Sequence, residues 1–184
     1  MAITVQLYED SGAVISAHGT TRNVVNNIGW KSSPLDETNL FTFYPIIRPT
    51  TDPFAYSYTK YNYFKISGTY TKATRPYIII KSSLASNNIK LFYKLTSTYA
   101  ASTNSWIGDL IYVEDGELHI YPKLSTIGPE DNANTSSYVQ YLAANTTYYT
   151  QYIQTQLLVT PDSYQNISPP MIGLYLDEYE GADT

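Results

Sequence analysis

Along most of the chain apolar and polar residues take turns. Ile3, Val5 and Leu7 alternate with Thr4, Gln6 and Tyr8 before Ser11-Gly12, the two-residue period of a half-buried strand closed by a turn. Val24 to Trp30 predicts a second strand, bent where Asn26-Asn27 and Gly29 interrupt it, with Trp30 in the core. The block Tyr56 to Tyr70 puts Tyr61 and Tyr63 on one face and Phe64 and Ile66 on the other. Tyr77-Ile78-Ile79-Ile80 is a short continuous apolar run and predicts a strand buried on both faces. Ile89, Leu91, Tyr93 and Leu95 alternate again, and these three segments read as the centre of a sheet.

Asp115-Gly116 lies between Leu110 to Val113 and Leu118 to Tyr121, which predicts a tight hairpin pairing Val113 with Leu118 and Ile111 with Ile120. Its other face would set Glu114 against Glu117 and Tyr112 against His119. Tyr138, Tyr141 and Leu142 behind Ser136 or Ser137 predict one short helix within Thr135 to Ala144. Ile153, Thr155, Leu157 and Val159 share a further strand face, as do Ile172, Leu174 and Leu176 before an acidic tail over 177–184. With no repeat and almost no helical period, the chain reads as all-β. The expected architecture is an antiparallel β-sandwich, jelly-roll or immunoglobulin-like, formed as a single domain over 1–184.

One stretch breaks the pattern. Residues 31–55 carry prolines at 34, 45, 49 and 53 around an apolar patch of Phe41, Phe43, Ile46 and Ile47. Proline cannot donate to a strand ladder, so this is an extended segment. It serves either as a loop wrapped over its own core or as an arm reaching a neighbouring subunit.

Composition narrows the function. The 184 residues hold 20 Tyr and no Cys, with a formal net charge of -5 and 11 Lys plus Arg. Tyrosine suits strands and interfaces, where the ring buries area and the hydroxyl keeps a hydrogen bond. Without a basic stripe, nucleic acid is not an expected partner. Nothing near Met1 has the basic start and apolar block of a signal peptide. No run reaches the roughly 18 apolar residues of a membrane span, so no membrane is expected and synthesis is placed in a cytoplasm.

Catalytic signatures are missing: no nucleophile elbow, zincin helix, phosphate loop or dinucleotide fingerprint occurs. His18 and His119 lie far apart in the chain, and Glu117 alone beside His119 defines no metal site. The acidic pairs Glu9/Asp10, Asp36/Glu37, Glu114/Asp115 and Glu130/Asp131 all fall at predicted turns or strand ends, where such residues serve turns and solubility. No catalytic residue, cofactor or metal is expected. Stacking of sugars on Tyr61, Tyr63 and Phe64, or on Trp106, is chemically available, but core and interface roles account for these rings more simply.

The segment Ser57 to Thr69, the preceding Tyr44-Pro45-Ile46-Ile47-Arg48-Pro49, and the opening Ile3 to Gly12 with Asn27 to Lys31 together resemble virion structural proteins of tailed bacteriophages, with a cyanophage among the implied sources. The resemblance implies a non-enzymatic protein made in the host cytoplasm and assembled onto head, neck or tail. Its implied partners are major capsid, neck or tail proteins and further copies of itself. Capsid decoration (cement) and neck roles lead, with a glycan- or receptor-binding module of a tail fibre or baseplate as the alternative. The expected interface residues are Phe41, Phe43, Ile46, Ile47, Tyr56, Tyr58, Tyr61 and Tyr63.

Overall fold

The computed structural model describes residues 2–15, 18–26, 28, 30, 49, 54–84, 88–131, 141–163 and 170–179. Among the described residues fifteen strands, all antiparallel in their pairing, form three sheets, and no helix occurs.

The larger sheet has nine strands. Its axis is β4 (Lys60–Thr69), which pairs along one side with β1 (Ala2–Ile15), from Ala2 against Thr69 to Asp10 against Tyr61. β2 (His18–Val25) folds back on β1. On the other side of β4 lie β12 (Tyr148–Thr150) and β13 (Tyr152–Val159), in effect one strand with a bulge at Gln151. There the Thr150 hydroxyl accepts from Phe64 N (3.0 Å) in place of a ladder carbonyl. β7 (Ile89–Thr96) follows β13, and β8 (Ile111–Val113) follows β7. The short strands β3 (Ala55–Tyr56) and β10 (Leu124–Ser125) pair with β13 and β12.

Two three-stranded sheets make up the second layer. β6 (Tyr77–Ser82) runs between β9 (Gly116–Ile120) and β14 (Met171–Tyr175), while β5 (Lys72–Thr74) runs between β11 (Tyr141–Leu142) and β15 (Glu178–Tyr179). β5 and β6 are consecutive, as are β14 and β15. Pro76, which cannot donate to a ladder, stands where β5 gives way to β6. Beside that break Thr74 and Asp177 bond each other, Thr74 N to Asp177 O (2.8 Å) and Asp177 N to Thr74 Oγ1 (2.7 Å).

The layers meet through the alternation read from the sequence. Ile78, Ile80, Leu118, Ile120, Ile172 and Leu174 of the smaller layer face Phe64, Leu91, Tyr93, Val113, Ile153 and Leu157 of the larger one. A second core, Ile66, Tyr70, Ala73 and Leu142, continues it around β5. This is an antiparallel sandwich, as the period of two implies.

Several expectations need correction. The hairpin at Asp115-Gly116 does not form: β8 pairs with β7 and β9 with β6, so Glu114-Asp115 carries the chain from one layer to the other. The signal was sound for a sharp turn, since Gly116 has φ +122°, but a local signal cannot say which sheet each arm joins. Tyr77–Ser82 is buried on one face only, with Tyr77 and Ile79 half-buried on the other. Val24 and Val25 end β2, and no strand continues to Trp30 among the described residues. Tyr141 and Leu142, expected at the end of a helix, are strand, and the rest of that helix lies largely outside the described residues. Glu178–Tyr179 is β15 and not tail, and 180–184 lie outside the described residues. Of the proline-rich 31–55, only Pro49, Phe54 and Ala55 are described, so the choice between loop and arm lies outside them too.

Gly116→Val tests the layer-crossing corner. A Cβ there meets nothing within 4 Å, so the cost is backbone strain alone, about 1–3 kcal/mol. Thermal melting should fall by several degrees, and an unchanged midpoint would show that this corner does not hold the positive φ.

Candidate functional site: the outer faces of the sandwich

The outer face of the larger sheet carries a cluster of tyrosines. Tyr61 and Tyr63 of β4 project from it beside Tyr8, Tyr149 and Tyr152. Tyr8 stacks on Tyr63 at 5.2 Å, and Tyr152 meets the edges of Tyr61 (6.0 Å) and Tyr63 (5.7 Å). The 97–110 connection covers part of this face. From it Tyr99 packs on Tyr61 at 4.9 Å and donates its hydroxyl to Gly12 O (2.8 Å). Ser102 and Thr103 bond Thr59, and Gln156 Nε2 donates to Ser57 O and Ser105 O, both at 3.0 Å. The result is that Tyr61 and Tyr63 are only 3% and 2% exposed. They are core, which removes them from the expected interface. Burial pushes the Tyr61 phenol up to about 12 and raises that of Tyr63 further.

An ionic network closes the same layer. Asp10 Oδ2 accepts from the Tyr152 hydroxyl (2.5 Å), from Arg22 Nε (3.2 Å) and from Gly19 N (3.4 Å). Arg22 Nη2 donates to Glu130 Oε2 (2.9 Å), and its guanidinium lies 5.8 Å from the Tyr63 ring centre. The Asp10 side chain is sealed from solvent, and its Oδ1 has no hydrogen-bond partner among the described residues. Desolvation raises the Asp10 pKa, against the lowering effects of Tyr152, Arg22 and Gly19 N. The neighbouring Glu9 points to the opposite face, where Lys60 Nζ meets it at 2.5 Å and Asn62 Nδ2 at 3.5 Å. Glu9 and Asp10 are thus not a carboxylate pair.

The remaining acids and histidines are equally separate. Asp131 accepts from Ser125 Oγ (2.9 Å), His18 lies against Gly19 O (2.8 Å), and His119 contacts Glu117 (2.6 Å). Asp36 and Glu37 lie outside the described residues. Among the described residues no three His, Asp or Glu come together as a metal site, and no helix is long and apolar enough to cross a membrane.

Beyond the buried tyrosines the same face becomes an exposed aromatic patch. Trp106, 42% exposed, packs edge-on to Phe92 at 4.7 Å and against Tyr56 at 5.7 Å. Phe92 continues to Tyr112 (5.6 Å), and Phe54 is exposed just before β3. Of the expected interface residues, Tyr56 therefore belongs to a surface cluster, and Tyr58 is half-buried between β3 and β4. Phe41, Phe43, Ile46 and Ile47 lie outside the described residues.

No family model, curated protein or solved structure matches this chain.

The outer face of β6, β9 and β14 holds a second exposed group that no sequence window isolates. Its rings are Tyr77, His119, Tyr121 and Tyr175, with centres 4.9–5.8 Å from Tyr77. Each strand shows its outward residues by alternation, but only the registers of β6 against both neighbours put them side by side. Where the layers part, a groove of about 430 Å³ is lined by Ala2, Ile3, Val5, Leu174, Tyr175 and Leu176. No charged side chain lines it, so it offers shape without chemistry.

Two substitutions test the buried layer. Tyr63→Ala should destabilise the isolated protein by about 3 kcal/mol or more, as emptied aromatic core sites do, measured by urea denaturation; a loss below about 1 kcal/mol would place the ring at the surface. For Asp10 the folded pKa lies above the unfolded one. Its contribution is therefore complete below the unfolded value near about 4 and is lost as pH rises through the folded value. Relative to Asp10→Asn, the wild type should lose stability as pH is raised from about 4 to 7. A flat or opposite difference would contradict the raised pKa.

Proposed function

We propose that this chain is a non-enzymatic structural protein of a tailed-phage virion, made in the host cytoplasm and built onto head, neck or tail as a decoration or neck component. It grips neighbouring virion proteins, or further copies of itself, through the outer face of the larger sheet around Trp106. The observation that carries the reading is the state of that indole. It is exposed, yet Phe92 and Tyr56 hold it from below. A large ring fixed in place loses little further freedom on docking, which is what makes tryptophan and tyrosine effective interface anchors.

Its surroundings support the same reading. Lys90 over Tyr112 (5.8 Å) and the Lys94–Asp109 pair (2.8 Å) provide a polar rim to an aromatic centre. β8, at the border of the patch, pairs only with β7 among the described strands. Such an edge can accept a strand from a neighbour. The one fully sealed carboxylate of the ionic network, Asp10, is bonded into the fold and presents nothing to a substrate. The phage assignment itself rests on the resemblance of the Tyr44–Pro49 and Ser57–Thr69 segments together with Ile3 to Gly12 and Asn27 to Lys31.

Antibody raised against the chain should label intact particles in immunogold electron microscopy of a lysed host culture. Trp106→Ala should reduce incorporation into those particles by about ten-fold or more while shifting the melting temperature by no more than about 4 °C. Gold confined to soluble fractions would overturn the virion reading. Undiminished incorporation of Trp106→Ala would overturn the choice of surface.

A further inference from the structure

We propose that the outward face of β6, β9 and β14 is a saccharide-binding site that takes neutral, hydroxyl-rich rings. It lies on the opposite side of the sandwich from Trp106 and does not depend on assembly into a virion. The registers define a small grid. Tyr175 stands opposite Tyr77, Gly173 opposite Ile79, and Met171 opposite Lys81; on the other side of β6, Ile79 stands opposite His119 and Lys81 opposite Glu117.

Gly173 is the informative position. It interrupts a strand face on which every other outward residue has a side chain, and a Cβ built there would meet nothing within 4 Å. A glycine inside a strand weakens it, and often marks a place where a ligand comes close to the backbone. Here its absence of side chain leaves a notch. Ile79 forms the notch's side, Tyr175 and Tyr77 one end and Met171 the other, with the His119 ring beyond Ile79.

The walls suit a sugar. Tyr175 and Tyr77 lie with centres 5.0 Å apart and planes 34° apart, and Tyr77 and His119 at 4.9 Å and 38°. The rings overlap in a tilted row with Tyr77 in the middle. An aromatic face carries negative charge density that attracts the polarised C–H groups on one side of a pyranose ring. Tyr121 and Tyr175 are 58% and 44% exposed, so these side chains reach solvent. Groups that bond hydroxyls surround them: the Glu117 carboxylate beside His119 (2.6 Å), the Lys81 ammonium, and the Asp177 carboxylate that accepts from the Tyr175 hydroxyl (2.9 Å).

Charge selects between ligands. Lys81 faces Glu117 across the strand pair, Arg75 lies 5.6 Å from the Tyr121 ring centre, and Asp177 accepts from the Tyr175 hydroxyl. Two cations and two anions balance, so nothing here attracts a phosphate, a nucleic acid or an acidic peptide.

The test uses the purified chain on a printed array of neutral and acidic oligosaccharides, followed by saturation-transfer NMR with the neutral oligosaccharide retained most strongly. Binding to at least one neutral oligosaccharide is expected, with saturation strongest at ring C–H protons. Tyr175→Ala and Gly173→Leu should each weaken it by about ten-fold or more, and Trp106→Ala should bind like the wild type. Both site variants change exposed or open positions, so circular dichroism should report an intact fold; if Gly173→Leu is misfolded, Tyr175→Ala decides. No retention of neutral oligosaccharides, retention of acidic ones alone, or binding lost in Trp106→Ala but kept in Tyr175→Ala overturns the proposal. None of these outcomes bears on the immunogold result, so the two readings fail separately.

Discussion

From Lys60 to Phe64, β4 is buried on both faces. Phe64 and Ile66 close the two inner cores while Tyr61 and Tyr63 enter the tyrosine layer on the other side, and all four are buried. A strand buried on both faces imposes demands on everything around it. It needs pairing along its length, supplied by β1 on one side and by β12 and β13 on the other. It also needs two covering layers. The small sheets supply one, and the 97–110 connection with its Tyr99 hydrogen bond to Gly12 helps supply the second. The sandwich is therefore better described as a central tyrosine-rich sheet covered unequally from both sides.

The charges next to β4 fix how β1 lies against it. Glu9 and Asp10 are adjacent in sequence and so point to opposite faces. Glu9 meets Lys60 on the inner side, and Asp10 meets Arg22 and Tyr152 on the outer. A slip of one residue would exchange the two, stranding one carboxylate against apolar core and leaving Lys60 or Arg22 without its counter-ion. Buried ion pairs contribute little net stability once their desolvation is counted. Their effect here falls on the register: a wrong alignment costs far more than the right one gains. That same register brings Tyr8 over Tyr63 and so completes the aromatic layer.

What the sequence made legible was everything with a period. Ile3-Val5-Leu7, Ile89 to Leu95 and Ile153 to Val159 are strands because alternation is local and the pleat converts it directly into faces. Tyr61 and Tyr63 share a face opposite Phe64 and Ile66 for the same reason. That the tyrosine face would be buried could not be read, because its cover comes from residues such as Tyr99 and Tyr152, about 40 and 90 positions away in the chain. Asp115-Gly116 announced a turn correctly and a hairpin wrongly, since turn chemistry fixes backbone angles and not strand partners. The exposed group around Gly173 was illegible for a related reason. Tyr77, His119 and Tyr175 become neighbours only through two registers that join distant parts of the chain.

The two exposed aromatic surfaces stand back to back. Trp106 lies on the outer face of the larger sheet and Tyr77 with Tyr175 on the outer face of the smaller layer, and the apolar core between Leu91 and Ile80 joins them through the molecule. Chemically they differ. The first is an aromatic centre beside β8, which among the described strands pairs only with β7, while the second is a row of tilted rings beside Gly173. A rigid sandwich separates its outer faces by two sheets packed about 10 Å apart, so an occupant of one face cannot obstruct the other. If neither occupant disturbs the core between the faces, the two contacts would be energetically additive. A subunit built this way can be fixed to an assembly by one side and still present the other to solvent, without any change of shape to connect the two events.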